Sequence, residues 1–303
     1  MSRLSNQAHW DAVHRREQAR GPGAGPGKPR GLPGRALRRI IGPTLRARMG
    51  AYDQHLLWNV LFKRHLAGFR GTRAMEVGSA PGTFILKFAR TFGCEPFGVE
   101  YSEVGVEVNR RLFRENGFPT GNVIHDDFFS EALHRDHRES FDILISRGFI
   151  EHFSDVDAVI DRHVNLLRPG GYLLVSVPNI RGVNYALTRL LHPALIPMHN
   201  LDIMTPEAFH ALFDRSDLET LHCGHYGTFT FYLFYAPPGS LLRFPLRLAQ
   251  WFQPLLNLTF RTLFGDRGAE SGLFSPSLIF IGRKRAPRTI DAGSRGMTVP
   301  GEG

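Results

Sequence analysis

Between Arg73 and Pro178 short apolar runs alternate with longer segments whose apolar positions recur three and four residues apart. "AMEVG", "PFGVEYS", "NVIHDDF", "FDILIS" and "YLLVSVP" read as strands. "GTFILKFARTF", "EVGVEVNRRLFREN" and "SDVDAVIDRHVNLL" read as helices. Parallel strands need crossovers of this length, whereas hairpin-joined strands do not. The expected fold is therefore α/β, a doubly wound and mostly parallel sheet with helices on both faces. Residues 52–67 read as an amphipathic helix before the first strand. "LETLHCGHYG" and "LFSPSLIFIGRK" read as late strands, with a hydrophobic insertion (about 228–270) before the last one. Local signals mark several ends. Gly117 closes a helix, Ser154 with Asp157 suggests a variant capping box, and Thr205 followed by Pro206 starts another helix.

The chain of 303 residues carries a net charge of +9, with eleven of its 37 Lys/Arg and two of its 28 Asp/Glu inside residues 1–50. The basic character thus belongs to an N-terminal extension, and the remaining acids and bases cancel. Three regions are expected: a basic, partly disordered extension with a Gly/Pro linker at 1–45, a domain at 46–285, and a disordered tail at 286–303. No apolar run suits a spanning helix or a secretory leader. Cys94 and Cys223 are too few for a disulfide framework or a zinc cluster. A cytoplasmic setting is expected, and no metal site.

"RAMEVGSAPGTF" places Glu76 at a strand tip and then turns through Gly78, Ser79, Ala80, Pro81 and Gly82. In an open α/β sheet ligands bind beyond the carboxyl ends of the strands. The spacing is not G-x-G-x-x-G, and a carboxylate there repels a pyrophosphate but suits a cation. The next strand ends in Glu100-Tyr101-Ser102, where a carboxylate can accept from ribose hydroxyls. Asp126 and Asp127 follow the third strand, beside Phe128 and Phe129, and suit an exocyclic amine with an aromatic cover. Ribose, adenine and a cationic amino-acid portion together describe S-adenosylmethionine.

With "MEVGSAPGTF", "GVEYS", "HDDFF", "FDILISRGFIEHF" and "LLRPGGYLLVSVPN" in that order, the chain resembles the class I S-adenosylmethionine-dependent methyltransferases over roughly residues 52–285. The resemblance implies a Rossmann-like sheet with S-adenosylmethionine as cofactor. By position it implies that Glu76, Gly78, Ser79 and Gly82 shape the methionine pocket, and that Glu100 and Tyr101 lie at the ribose. Asp126 or Asp127 would face adenine, Asp127 alternatively capping the next loop. Ser146 and Arg147 would line the sulfonium side. The family's first motif has Gly where this chain has Ala80.

Methyl transfer is an in-line displacement in which the protein supplies alignment and, for a hydroxyl acceptor, a base. His152 and His199 are the candidate bases; Glu151 either orients a neighbour or caps a helix, and the family often carries Glu-His here as a structural element. The expected reaction is O-methylation of a small-molecule or lipid-linked acceptor. Alternatives are an RNA 2′-O-methyltransferase, which "GSAPG" is similar to, and a non-catalytic S-adenosylmethionine-binding protein. Nucleic acid is not expected as a partner, because lysine is scarce and the domain is near neutral. Segment 228–265 has three arginines and no acid. Its plainer reading is a lid that buries its own apolar face on the sheet. The sharper one is an interfacial segment that makes the protein membrane-peripheral and admits a lipid-like acceptor. Pro237, Pro238, Pro245 and Pro254 argue against a span. The oligomeric state is not legible.

Overall fold

A computed structural model describes residues 2–5, 7–20, 42–66 and 68–286. The linker at 21–35 and the tail beyond Ala286 lie outside the described residues. Seven strands form one sheet: β1 Arg73–Val77, β2 Glu95–Glu100, β3 Val123–His125, β4 Phe141–Arg147, β5 Leu167–Pro178, β6 Leu218–Tyr226 and β7 Ser277–Lys284. Their order is β3-β2-β1-β4-β5-β7-β6. The first five are parallel, and β7 runs antiparallel to both β5 and β6. The order reverses between β1 and β4, so a crevice opens beyond their carboxyl ends.

The helices, in chain order, are α1 Gln7–Arg20, α2 Pro43–Arg48, α3 (an α–π–α run, Tyr52–His55, Leu56–Leu61 and Phe62–His65), α4 Thr83–Phe92 and α5 Glu103–Glu115. They continue with α6 Glu131–Asp136, α7 Val156–Leu166, α8 Gly182–Leu191, α9 Pro206–Ala211 and α10 Arg243–Phe264. One apolar layer packs α3 and α4 on the sheet through Leu57, Phe62, Ile85, Phe88, Ile143 and Ile279. The other packs α7 and α9 on the opposite face through Val159, Ile160, Phe209, Leu144 and Phe280. Near-continuous burial along β4 is what a parallel strand covered on both faces requires. At its amino end Asp142 accepts the Arg73 N–H at 2.8 Å and pairs with Arg168, a structural role that pins β4 to β1.

Two expectations need correction. The cap of α7 is Asp155, whose carboxylate accepts the Ala158 N–H, and not Ser154. Both residue types cap well; Ser154 instead donates its hydroxyl to the Ser2 carbonyl. The lid reading of 228–265 holds only in part: Phe234, Ala236 and Leu246 are buried, with Phe229, Phe231 and Leu233 packed against them beside Leu187 and Leu191, but the rest of the segment departs from it. This segment builds the 22-residue α10, and that helix turns its large apolar side chains outward, with Phe244 75%, Trp251 58% and Leu255 57% exposed.

Candidate active site

The β1–α4 turn is built around glycine. Gly82 stands at φ +92°, and a Cβ there would meet Asn109 Oδ1 at 2.3 Å. Gly78 stands at φ +63° with the Phe149 ring 3.2 Å from where a Cβ would be, which leaves its backbone bare toward the crevice. Ala80 does not have positive φ, so its methyl is accommodated. Glu76 is buried under the turn and its Oε2 accepts the Ile85 N–H at 3.2 Å, serving as a cap for α4. Burial pushes its carboxyl up to about 7, opposed first by the Arg147 guanidinium. Ser79 is also buried, its hydroxyl accepting from Asn109 Nδ2 at 2.5 Å.

Glu100, at the tip of β2, accepts from the Ala80 N–H at 3.3 Å and the Ser102 N–H at 2.9 Å. It is buried, and two backbone donors leave lone-pair directions over for a ligand. Asp126 accepts the Asp127 N–H at 2.8 Å. Asp127 accepts the Phe129 N–H at 3.0 Å, capping its loop, and pairs with Arg3. Gly78, Ala80, Glu100, Tyr101, Asp126, Asp127 and Arg147 line one cavity of about 160 Å³, together with Phe128, Phe129, Phe149 and His152. Ser146, at the end of β4, is fully buried with its hydroxyl unpartnered. Glu76, Ser79, Gly82, Ser146 and His199 stand behind this wall and do not line it. Arg147 lies 3.9 Å from the Phe84 ring centroid.

Three carboxylates and two guanidiniums, those of Arg3 and Arg147, face the cavity. That balance, with bare backbone at Gly78 and aromatic walls, suits a cationic nucleoside and opposes a pyrophosphate. The expected cofactor fits the residues present.

At the cavity wall His152 donates from Nδ1 to the Met198 carbonyl at 2.8 Å, and behind it His199 donates from Nδ1 to the Leu195 carbonyl at 2.7 Å. Each ring is thereby fixed in the tautomer that leaves Nε2 as an acceptor. The two rings stand 4.6 Å apart between centroids. Burial pushes His152 down to about 4, and His199 shifts the same way for the same reason. Glu151 is buried with both carboxylate oxygens unpartnered, and burial pushes it up to about 8. Its contact with His152 at 4.0 Å is therefore between neutral groups near pH 7 rather than an ion pair. Glu151, His152 and His199 each offer one donor atom, all within 4.8 Å, a set compact enough for a divalent cation. No metal site was expected from the sequence; His199 is brought beside Glu151 and His152 by the chain between β5 and α9, where Asn200 N donates to the Glu151 carbonyl.

The stretch "HWDAVHRRE" reads in the sequence as a short helix that docks elsewhere, and it does lie in a docked helix; that it and residues 2–5 reach the cavity is what sequence reasoning missed. Leu4 N donates to the His152 carbonyl and Arg3 bridges to Phe153, so residues 2–4 form an extra edge beside the cavity. Helix α1 lies on α5, where Ser102 Oγ donates to Asp11 at 2.5 Å and Gln7 Nε2 to the Tyr101 carbonyl at 3.3 Å. Arg3, Ser5, Trp10 and His14 all line the cavity, with the Trp10 ring 5.1 Å from that of His152. The available signal was Trp10 itself, a large aromatic in a segment otherwise polar.

A family model described as a methyltransferase domain matches residues 49–223. With the sheet order and the crevice residues, this places the chain among the class I S-adenosylmethionine-dependent methyltransferases, and it belongs to that family. Among relatives, it is 31% identical over 111 residues to a ubiquinone biosynthesis O-methyltransferase of Chelativorans sp. (strain BNC1), covering 37% of this chain and 42% of that one. It is 29% identical over 160 residues to the protein of that name from Shewanella sp. (strain ANA-3), covering 50% and 65%. The chain thus spans less than two thirds of these curated relatives. A Haloferax volcanii methyltransferase in complex with the Trm112 methyltransferase activator shares the fold, with a TM-score of 0.55 at 15% identity over 94% of this chain and all of that one. No helix among the described residues is long and apolar enough to cross a membrane.

Proposed function

We propose that the protein transfers the methyl group of S-adenosylmethionine to the oxygen of a small-molecule or lipid-linked acceptor. The observation that carries this reading is the crevice between β1 and β4, where Glu100, Asp126 and the bare Gly78 backbone face one cavity with His152. The relatives named O-methyltransferases support oxygen as the acceptor atom.

Bound at this crevice, S-adenosylmethionine supplies an electrophilic methyl group. The chain's own part is to bind, orient and take up a proton. Glu100 and Asp126 accept hydrogen bonds from the nucleoside, while Gly78 and Arg147 shape the amino-acid end and Glu76 holds the turn from behind through the Ile85 N–H. Helix α1 and Arg3 cover the cavity and exclude water. His152 Nε2, held by the Met198 carbonyl, is the acceptor for a hydroxyl proton. Glu151 and His199 set the polarity around it. Segment 228–265 is the element through which a lipid-linked acceptor would be approached at a membrane.

The unpartnered oxygens of Glu151 favour a second reading, in which Glu151, His152 and His199 would hold a divalent cation, which would lower the pKa of the acceptor hydroxyl. Turnover of a catechol or phenol panel with labelled S-adenosylmethionine, with and without EDTA and Mg²⁺, separates the two. Turnover indifferent to chelation leaves His152 as the base, and chelator-sensitive turnover restored by the ion assigns the cluster to a cation. Stoichiometric cofactor binding without turnover on any acceptor would leave a binding protein.

A further inference from the structure

Helix α10 is inside out. Two of its three buried residues are amides, Gln253 and Asn257, beside Leu246, while Leu256, Leu258 and Phe260 are half-buried. Gln253 accepts the Phe231 N–H at 2.8 Å and donates to Asn257 Oδ1 at 2.9 Å. Asn257 donates to the Met49 carbonyl at 3.4 Å, and Gln250 to the carbonyls of Phe231 and Phe234. The opposite face carries Phe244, Leu248, Trp251, Phe252 and Leu255, all exposed. Their spacings of four, three, one and three put them on one stripe at the 3.6-residue period. Leu241, 93% exposed, extends the stripe at its amino end.

This polarity is the reverse of a surface helix folded for water. Burying hydrogen-bonded amides gives little net stability, and exposing five large apolar groups gives none. The helix is firmly placed, since Tyr52 Oη donates to the Gly265 carbonyl at 2.6 Å and Arg261 donates to the Ala47 carbonyl at 2.8 Å. Arg243 and Arg247 are exposed along one flank of the stripe, and no acid occurs from Thr228 to Gly265. A long apolar stripe with an indole and a purely cationic flank has the chemistry of a helix lying in a bilayer interface.

We propose that the outward face of α10 docks on an anionic phospholipid bilayer, seating Phe244, Leu248, Trp251, Phe252 and Leu255 among the acyl chains and Arg243 and Arg247 at the headgroups. This deepens the membrane-peripheral part of the function proposed above and rests on it in no other respect.

The test is co-sedimentation of the full chain with vesicles of phosphatidylcholine alone and of phosphatidylcholine with phosphatidylglycerol. The wild type is expected to sediment with the anionic vesicles, less so at high salt. The Phe244→Ser, Trp251→Ser, Leu255→Ser triple variant is expected to lose at least about tenfold in partitioning. Arg243→Glu with Arg247→Glu, at two exposed positions, should lose anionic binding with an unaltered Tm. The proposal is overturned if the wild type ignores both vesicles, binds both equally, or is matched by the two variants. It is also overturned if sedimentation velocity shows a dimer that the triple variant dissolves while vesicles are ignored; the face then belongs to a second copy. Calorimetric binding of S-adenosylmethionine involves none of these residues, so its success or failure bears on the methyl-transfer reading alone.

Discussion

The carboxyl edge of the sheet and helix α10 bury polar groups in opposite ways. At the sheet edge, Ser146 Oγ and both Glu151 oxygens are buried without partners beside a cavity. Under α10, the buried amides of Gln253 and Asn257 are bonded, and the unmet requirement is apolar and faces outward. Buried polar atoms left over after folding point to a ligand that completes them. Apolar atoms left over on a rigid surface point to a partner that covers them. The two regions are therefore read as two different sites, one chemical and one adhesive.

The largest expected effect lies at the edge. His152→Ala should lower turnover by about 10²–10⁴-fold, the usual contribution of a positioned base, while cofactor affinity measured by calorimetry stays near wild type. Turnover equal to wild type removes His152 from the mechanism. Glu100→Ala should weaken S-adenosylmethionine binding by about 1.5–3 kcal/mol, as for loss of a charged hydrogen-bond partner. An unchanged Kd would break the assignment of the ribose end.

Beneath α10 the expected effect is on stability alone. Gln253→Ala leaves the Phe231 N–H without its side-chain acceptor and should cost about 1–3 kcal/mol in urea denaturation, with cofactor affinity intact. If it is neutral, the buried amides are not what holds the helix inside out.

A pH effect should also separate the regions. Glu76 stands near 7 in the free protein, well above its ordinary value, so it is largely protonated below pH 7. A cationic ligand favours its ionised form. Affinity should therefore weaken as pH falls below 7, by up to about tenfold per unit for full linkage to one proton, and Glu76→Gln should flatten the profile. A profile equally steep in the variant would assign the proton elsewhere. The smallest effect is expected on the outward stripe, where Trp251→Ser should change folding stability by less than about 0.5 kcal/mol because no core contact is lost.

Much of the sheet domain is legible in the sequence, because strands buried on both faces and helices with a 3.6-residue stripe leave distinct periods. Glu100, Asp126 and Gly78 are legible too, since strand tips in such a sheet meet at one crevice. The juxtaposition of His152 with His199 is less so. The position of His152 just after the fourth strand places it at the pocket mouth, but the closeness of His199 depends on how the chain between β5 and α9 folds back, with Asn200 N donating to the Glu151 carbonyl at 2.7 Å. The docking of α1 depends likewise on long-range contacts of Asp11 and Trp10. For α10 the pattern misleads: an apolar stripe ordinarily predicts the buried face, and here the amides opposite it take that place.

The central claim is that this crevice holds a sulfonium nucleoside. Titration calorimetry of the full chain with S-adenosylmethionine, S-adenosylhomocysteine and NAD tests it most directly. Saturable one-to-one binding of the first two, weakened in Glu100→Ala and absent for NAD, is the predicted result. Binding of NAD with no heat from either sulfur nucleoside would contradict it.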